Sequence, residues 1–470
     1  MSATVSYAVV GVLWLVALSI VISHLARKRK QRAVVRLGGF KWTRADFCRG
    51  WLITGDTGSG KTRSGITPLL FQVFQNEPTW GGLCIDDKGL YWETLSEMAR
   101  HFGREDDLIL LQVRPDDCPA ATWQPRHTYN LTSDRSIPYN TFAKAVVDTA
   151  SSLGQAGDKG FFKNQAQIHI AAALETLREI GADVTLENAY HLLLDQGDLD
   201  EAMTDLASSH QTIRRQELSE HFSNRFLSQP PEQIGGVKET IANYLQAFIT
   251  PDIARVFCPG HNTFDFADID RGKIICVAMP QKFQLERRYV NTFLKMLFYT
   301  HALRRFDKPA EERRYDNLLI LWADEAQRFV TASEDGMSDY NCIDVIREAQ
   351  ATVVAAAQSS TSFVPPLGRD KARVFTLNLR NRLIFKAADE EGAVESADFL
   401  GKKRVIKKSW GYSAGKMSRN YSEQEEPKIK PHLLRNLKKH TAVVVHCERG
   451  HRRKLLPPIE PGGQICAWFR

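Results

Sequence analysis

Residues 50–62 read GWLITGDTGSGKT and lead, after Arg63, into SGITPLLFQVF. The run GWLIT is apolar and strand-like. The next eight residues, Gly55, Asp56, Thr57, Gly58, Ser59, Gly60, Lys61 and Thr62, satisfy G-x-x-x-x-G-K-[ST] between a strand and a helix. The glycines let the backbone curl until several N–H groups converge on one point, an arrangement that suits phosphate oxygens. The following helix turns its positive end to the same point. Lys61 is placed to bridge the β- and γ-phosphates of ATP, and Thr62 to hold Mg2+ through its hydroxyl. All eight residues are therefore nucleotide-binding candidates.

A phosphate loop works with a carboxylate at the end of a neighbouring strand. Residues 318–325 read LLILWADE, an apolar run ending in Ala323, Asp324 and Glu325. Asp324 is the candidate for the Mg2+ shell and Glu325 for polarising the attacking water. Acids also follow strands simply because they suit a helix start, but beside the phosphate loop the catalytic reading is favoured. Asp324 lies 263 residues after Lys61, so something sizeable is inserted between the two halves of the site.

The insertion has a helical signature. Residues 161–179 (FFKNQAQIHIAAALETLRE) carry apolar groups at spacings of three and four. Further helical runs are 186–195, 199–208, 211–226 and 234–249. Strand-like runs stand at 82–86, 108–113, 273–279, 318–323, 351–357, 382–387 and 441–447. Apolar strands separated by helices imply an α/β fold with a mainly parallel sheet covered on both faces. The expected organisation is a nucleotide-binding domain in two parts, 27–145 and 261–455. An all-α domain at 146–260 interrupts it, and a tail occupies 456–470.

The start of the chain differs from the rest. The 470 residues are 43% hydrophobic and 25% charged, with a net charge of +7. That is globular composition, and it excludes a disordered tail protein, a fibrous repeat and a multi-span carrier. Yet residues 1–26 carry no Asp, Glu, Lys or Arg. The twenty residues 7–26 (YAVVGVLWLVALSIVISHLA) are long enough for a bilayer core of about 30 Å. Arg27, Lys28, Arg29, Lys30 and Arg32 follow directly. The pattern predicts one N-terminal transmembrane helix in the cell inner membrane, with a cytoplasmic body. The basic cluster either sets topology alone or also sits on anionic headgroups. The eight Cys show no metal-ligand spacing. Cys84 and Cys276 read as core residues, and the cluster His446, Cys447 and His451 reads as structural.

Other positions admit two readings each. Gln358, after the run at 351–357, is either a loop residue or a sensor of the γ-phosphate. Arg347, in CIDVIREAQ, is a helical surface charge or an arginine finger entering a neighbour's site. Asp86-Asp87-Lys88-Gly89 is a charged turn or part of the ligand edge. Residues 400–420 interleave Lys402, Lys403, Arg404, Lys407, Lys408, Lys416 and Arg419 with Trp410 and Tyr412. That composition suits a solvated loop and a nucleic-acid contact equally.

Taken in order, these elements resemble the type IV secretion coupling proteins of the TraG/TraD type, within the FtsK–HerA superfamily. The resemblance rests on GDTGSGKT at 55–62, Pro68, DDKG at 86–89, and Phe161-Phe162. It continues through FDFADIDRGKIICVAMP at 264–280, ADE at 323–325, IRE at 346–348, AQSST at 357–361, and LLRNLKKHTAVVV at 433–445. It implies a RecA-like P-loop NTPase fold, ATP and Mg2+ as ligands, and a homo-oligomeric, hexameric ring that pumps DNA. Relaxase, effector or secretion-channel proteins are the implied further partners. In the family a Gln after this strand contacts nucleotide, and an Arg eleven residues earlier reaches a neighbouring subunit. Gln358 and Arg347 have that separation. The chain departs by showing one span where relatives usually have two, and by Leu90 where an acid commonly follows Lys-Gly. Three readings follow: a DNA-translocating ATPase, the same motor moving protein effectors, and a membrane-tethered nucleotide switch that translocates nothing.

Overall fold

A computed structural model describes residues 33–152, 160–208, 212–333, 337–413 and 416–459. The expected span at 7–26, its basic flank and tail residues 460–470 lie outside them. Among the described residues no helix is long and apolar enough to cross a membrane.

The strands are β1 (Ala33–Leu37), β2 (Phe40–Thr43), β3 (Trp51–Thr54), β4 (Gly81–Asp86), β5 (Leu108–Gln112), β6 (Ile274–Ala278), β7 (Leu319–Asp324), β8 (Ala351–Ala357), β9 (Asn381–Ile384), β10 (Lys402–Ser413), β11 (Lys416–Pro427), β12 (Thr441–His446) and β13 (Gly450–Leu455). Among the described residues, nine of them form one sheet in the order β13-β12-β9-β3-β8-β7-β4-β6-β5. From β9 to β5 every pairing is parallel. β12 and β13 close one edge antiparallel. The mainly parallel α/β sheet expected from the sequence is present.

The central strands fill a core on each side because successive side chains point to opposite faces. Leu52, Leu319, Leu321 and Val353 enter one core, and Ile53, Ile320, Trp322 and Val354 the other. β8 is ATVVAAA and wholly buried. Its place between β3 and β7 is what closes the 263-residue gap: β7 and β8 come after the insertion yet lie between β3 and β4. The phosphate loop and the acid pair thus share one sheet edge.

The insertion between β5 and β6 is helical, as its periodicity predicts. Its helices include Tyr139–Ser152, Gly160–Ile180, Leu186–Leu194, Gln196–Ser208, Ile213–His221 and Pro231–Ile249. They share the first core with the sheet. Phe248, for example, meets Tyr289 and Phe293 of the helix Gln284–Arg304, edge to face at 5.7 Å in each case.

Two sequence expectations need correcting. Arg347 is not on a continuous helix. A four-residue helix, Asp339–Cys342, is followed by a separate 3-10 turn, Ile346–Ala349, which ends where Gln350 takes a φ of 57°. The solvated-loop reading, one of the two open for 400–420, does not hold either, because residues 402–413 and 416–427 are strands. They form a long antiparallel ribbon, β10 against β11, in unbroken register from Lys402↔Pro427 to Ser413↔Lys416.

Candidate nucleotide site

The phosphate loop is fixed by the ends of the two strands beside β3. Gly55 N–H donates to the Gln358 carbonyl at 3.1 Å, and Asp56 N–H to the Lys386 carbonyl at 2.7 Å. The Asp56 carboxylate accepts from Thr57 N–H at 2.7 Å. Gly58 and Gly60 take φ values of 76° and 103°, a region that favours glycine. Lys61 is buried, and its Nζ donates to the Gly55 carbonyl at 2.6 Å. Burial draws its pKa down, while Glu325 and Asp324 pull it back up. The lysine is therefore parked on its own loop, within the field of both acids. Ser59 Oγ is buried without a hydrogen-bond partner, and Thr62 is exposed at the mouth. An orphaned hydroxyl beside curled N–H groups fits a phosphate oxygen.

The acids sit where β7 ends. Asp324 closes the strand, and Glu325 follows with a φ of 52°, strained for a non-glycine residue. Glu325 N–H donates to Asp324 Oδ1 at 3.0 Å, and Gln327 Nε2 holds Glu325 Oε2 at 2.7 Å. Burial, then Glu325, then Asp86 push the Asp324 pKa up to about 6, against the pull of Lys61. Two crowded carboxylates facing a lysine make a donor set suited to Mg2+.

Asp86 is a residue whose role the sequence left open. It ends β4 beside Asp324 and is buried, and its Oδ2 accepts from Leu90 N–H at 3.1 Å and Tyr91 N–H at 3.3 Å. It therefore caps the helix Tyr91–His101 and shapes the turn DDKG. Asp87 takes ion pairs from Arg288 at 3.5 Å and Arg328 at 3.6 Å.

The structure thus brings Lys61, Thr62, Asp324, Glu325 and Gln358 to the carboxyl edge of the central strands. Arg347 is not among them. It precedes β8, whereas Gln358 follows it, and seven residues of strand span roughly 20 Å. Arg347 is exposed and lines a pocket of about 300 Å3 with Arg44, Arg49, Glu348 and Gln350. The buried Arg305 fixes its turn by donating to the Ala349 carbonyl at 2.9 Å.

A family model for type IV secretory system conjugative DNA transfer matches residues 13–449. The chain belongs to that family. No curated protein matches it by sequence. Among solved structures it is similar to the unbound bacterial conjugative coupling protein TrwBdeltaN70, at 17% identity over 93% of this chain and 91% of that one, with a TM-score of 0.68. The plasmid coupling protein TrwB with the GTP analogue GDPNP gives 17% identity, 93% and 92% coverage and a TM-score of 0.65. TrwB with ADP and Mg2+ gives 16%, 93% and 92%, and 0.66. At these identities the likeness is one of fold.

In this member of the family the phosphate loop has a further support that its sequence does not announce. His440, with a φ of 64°, precedes β12. Its N–H donates to the Ser59 carbonyl at 2.9 Å, and its Nδ1 lies 2.8 Å from Ser64 Oγ. A Cβ on Gly60 would come within 2.6 Å of that nitrogen. At the far end of β12, Asp46, His446 and Cys447 bring ligand-type atoms within 4.8 Å of one another. Both His446 nitrogens are already engaged, however. Glu448 N–H donates to Nδ1 at 3.0 Å, and Nε2 donates to the Lys41 carbonyl at 3.1 Å. That supports the structural reading of His446 and Cys447.

Proposed function

We propose that this chain is a membrane-anchored motor that hydrolyses ATP at the subunit interfaces of a hexameric ring and couples hydrolysis to DNA recruitment and translocation. Family membership supports the cargo class. One observation carries the mechanism: five of the candidate groups, Lys61, Thr62, Asp324, Glu325 and Gln358, meet at one sheet edge and Arg347 stands at the other. A ring puts the two edges of successive subunits together.

In this reading the loop N–H groups and Ser59 bind the phosphates, and Lys61 leaves the Gly55 carbonyl to bridge the β- and γ-phosphates. Thr62 and Asp324 would hold Mg2+, which neutralises charge on the phosphates. Glu325, held by Gln327, orients and deprotonates the attacking water. Gln358, whose carbonyl is tied to Gly55, reports the state of the γ-phosphate to β8. Arg347 of the partner subunit stabilises the charge of the transition state. Residues 7–26 anchor the ring in the inner membrane, and the basic flank rests on anionic lipid. Between 27–145 and 261–455, the all-α domain at 146–260 shares a core with the sheet and is the face we assign to relaxase, effector or channel proteins.

The test is the ATPase rate of the full chain with and without single- and double-stranded DNA, paired with its oligomeric mass. A DNA-stimulated ring is expected. A monomer with slow hydrolysis indifferent to DNA would favour the switch, and stimulation by polypeptide alone would favour protein cargo.

A further inference from the structure

The β10–β11 ribbon leaves the body after the helix Glu390–Leu400 and returns at Lys428, whose N–H donates to the Gly401 carbonyl at 2.8 Å. Twelve residues per strand reach about 40 Å. Its two halves differ in charge. Near the body, cations on β10 face acids on β11: Arg404 pairs with Glu423 at 3.5 Å, and Lys407 with Glu426 at 3.0 Å. Lys430 joins Glu426 at 3.3 Å. The far half, residues 408–421, carries Lys408, Lys416 and Arg419 and no Asp or Glu.

The two faces of that far half also differ. Directly paired residues share a face, and the register pairs Lys408 with Tyr421 and Trp410 with Arg419. One face therefore presents two rings and two cations in adjacent rows. The Arg419 guanidinium lies 4.4 Å from the Trp410 ring centre, and Lys408 Nζ 5.7 Å from that of Tyr421. Both rings are exposed, Trp410 at 55% and Tyr421 at 60%. The opposite face pairs Lys407 with Ser422. Exposed aromatic planes flanked by cations, with acids excluded, match a strand of unpaired bases: rings stack on bases and cations meet the phosphates between them.

We propose that this face of the ribbon is a single-stranded DNA contact, with bases stacking on Trp410 and Tyr421 and phosphates meeting Lys408 and Arg419. The proposal rests on the DNA reading above and assigns it a surface. In a ring, six such ribbons would surround or flank the path of the strand.

The test measures binding of fluorescent oligo-dT, and of a duplex of equal length, to the full chain. Trp410→Ala/Tyr421→Ala should weaken oligo-dT binding about tenfold or more while leaving duplex binding nearly unchanged, because paired bases are already stacked. Trp410→Phe/Tyr421→Phe keeps both rings and should retain binding, which separates lost stacking from a misfolded ribbon. Arg404→Ala, at the ion-paired base, should change little. Equal oligo-dT binding by the alanine variant and the wild type overturns the proposal, as does an equal loss for duplex. So does a variant that keeps oligo-dT but loses phosphatidylglycerol vesicles, which would assign the face to lipid. Wild-type protein that binds neither DNA form would overturn the DNA reading itself, a result distinct from failure of the ribbon alone.

Discussion

Asp86 and Asp324 stand opposite each other in register, each closing its own strand, on the adjacent parallel strands β4 and β7. Asp86 is buried and Asp324 half-buried, and the neighbouring carboxylate adds to the cost of ionising Asp324. The Asp324 pKa is accordingly about 6, with burial the first cause, and Asp86 is also raised, chiefly by burial. The edge is therefore poised against its own charge until a cation arrives.

That poise predicts a pH dependence for the protein free of metal and nucleotide. A carboxylate whose folded pKa lies above its unfolded value binds its proton more tightly when folded. Its stabilising contribution is full below the unfolded value and is lost as pH rises through about 6. Asp324→Asn removes the charge, so its stability relative to wild type should grow between pH 4 and 7. The gain should be about 1–3 kcal/mol, less whatever solvent screens. Urea unfolding in a chelator at several pH values checks it, and a flat difference would count against the crowded-carboxylate account. Since the ion needs the carboxylate deprotonated, Mg2+ affinity should fall as pH drops below 6.

In the proposed mechanism Lys61 and Glu325 serve the same reaction differently, and their variants should separate. Lys61→Ala removes a phosphate contact and should lose both ATP binding and turnover. Glu325→Gln keeps the size and the Gln327 contact region but cannot take a proton. Turnover should drop by about 100-fold or more with ATP binding retained. Parallel nucleotide-binding and hydrolysis measurements decide it; full turnover in either variant would remove the assignment.

Much of this site is legible from sequence because it rests on local pattern. The loop spacing, the apolar run before Asp324 and the buried β8 run each occupy a few contiguous residues. Sheet order then does the rest. What stayed hidden depends on distant contacts or on polar strands. His440 meets Ser59 and Ser64 across more than 370 residues, and nothing in LKKHTAVVV marks it. The ribbon strands, KKRVIKKSWGYS and KMSRNYSEQEEP, carry charges in runs and few apolar residues, so 402–427 lacks the hydrophobic period that identifies a strand. Its strands are held by each other, not by a core. Arg347 reads as helical in CIDVIREAQ, but the left-handed Gln350 ends the turn after four residues.

His440 supplies a test of the hidden support. His440→Gly keeps the positive φ but removes the ring near Ser64, at a cost of about 0.5–1.5 kcal/mol for one hydrogen bond. ATP affinity should fall between about twofold and tenfold while the maximal rate changes less. Gly60→Ala should be worse, since it meets the His440 ring and forces a side chain into a φ of 103°. Equal affinity in His440→Gly and wild type would make the contact a bystander.

Arg347 carries the last prediction, because its place at the amino end of β8 leaves it no route to its own phosphate loop. Arg347→Ala should bind ATP normally and lose turnover about 1,000-fold or more, the range of an arginine finger. A surface charge would lose nothing. The stronger experiment mixes two dead variants. Lys61→Ala subunits keep the finger and lack the loop, and Arg347→Ala subunits keep the loop and lack the finger. In a mixed ring, an interface that joins an intact loop to a neighbour's intact Arg347 is complete. Activity should therefore reappear on mixing and rise with the fraction of such interfaces, as read by ATPase rate against mixing ratio. If Arg347 served only its own subunit, neither variant could help the other, and the mixture would stay as inactive as its parts.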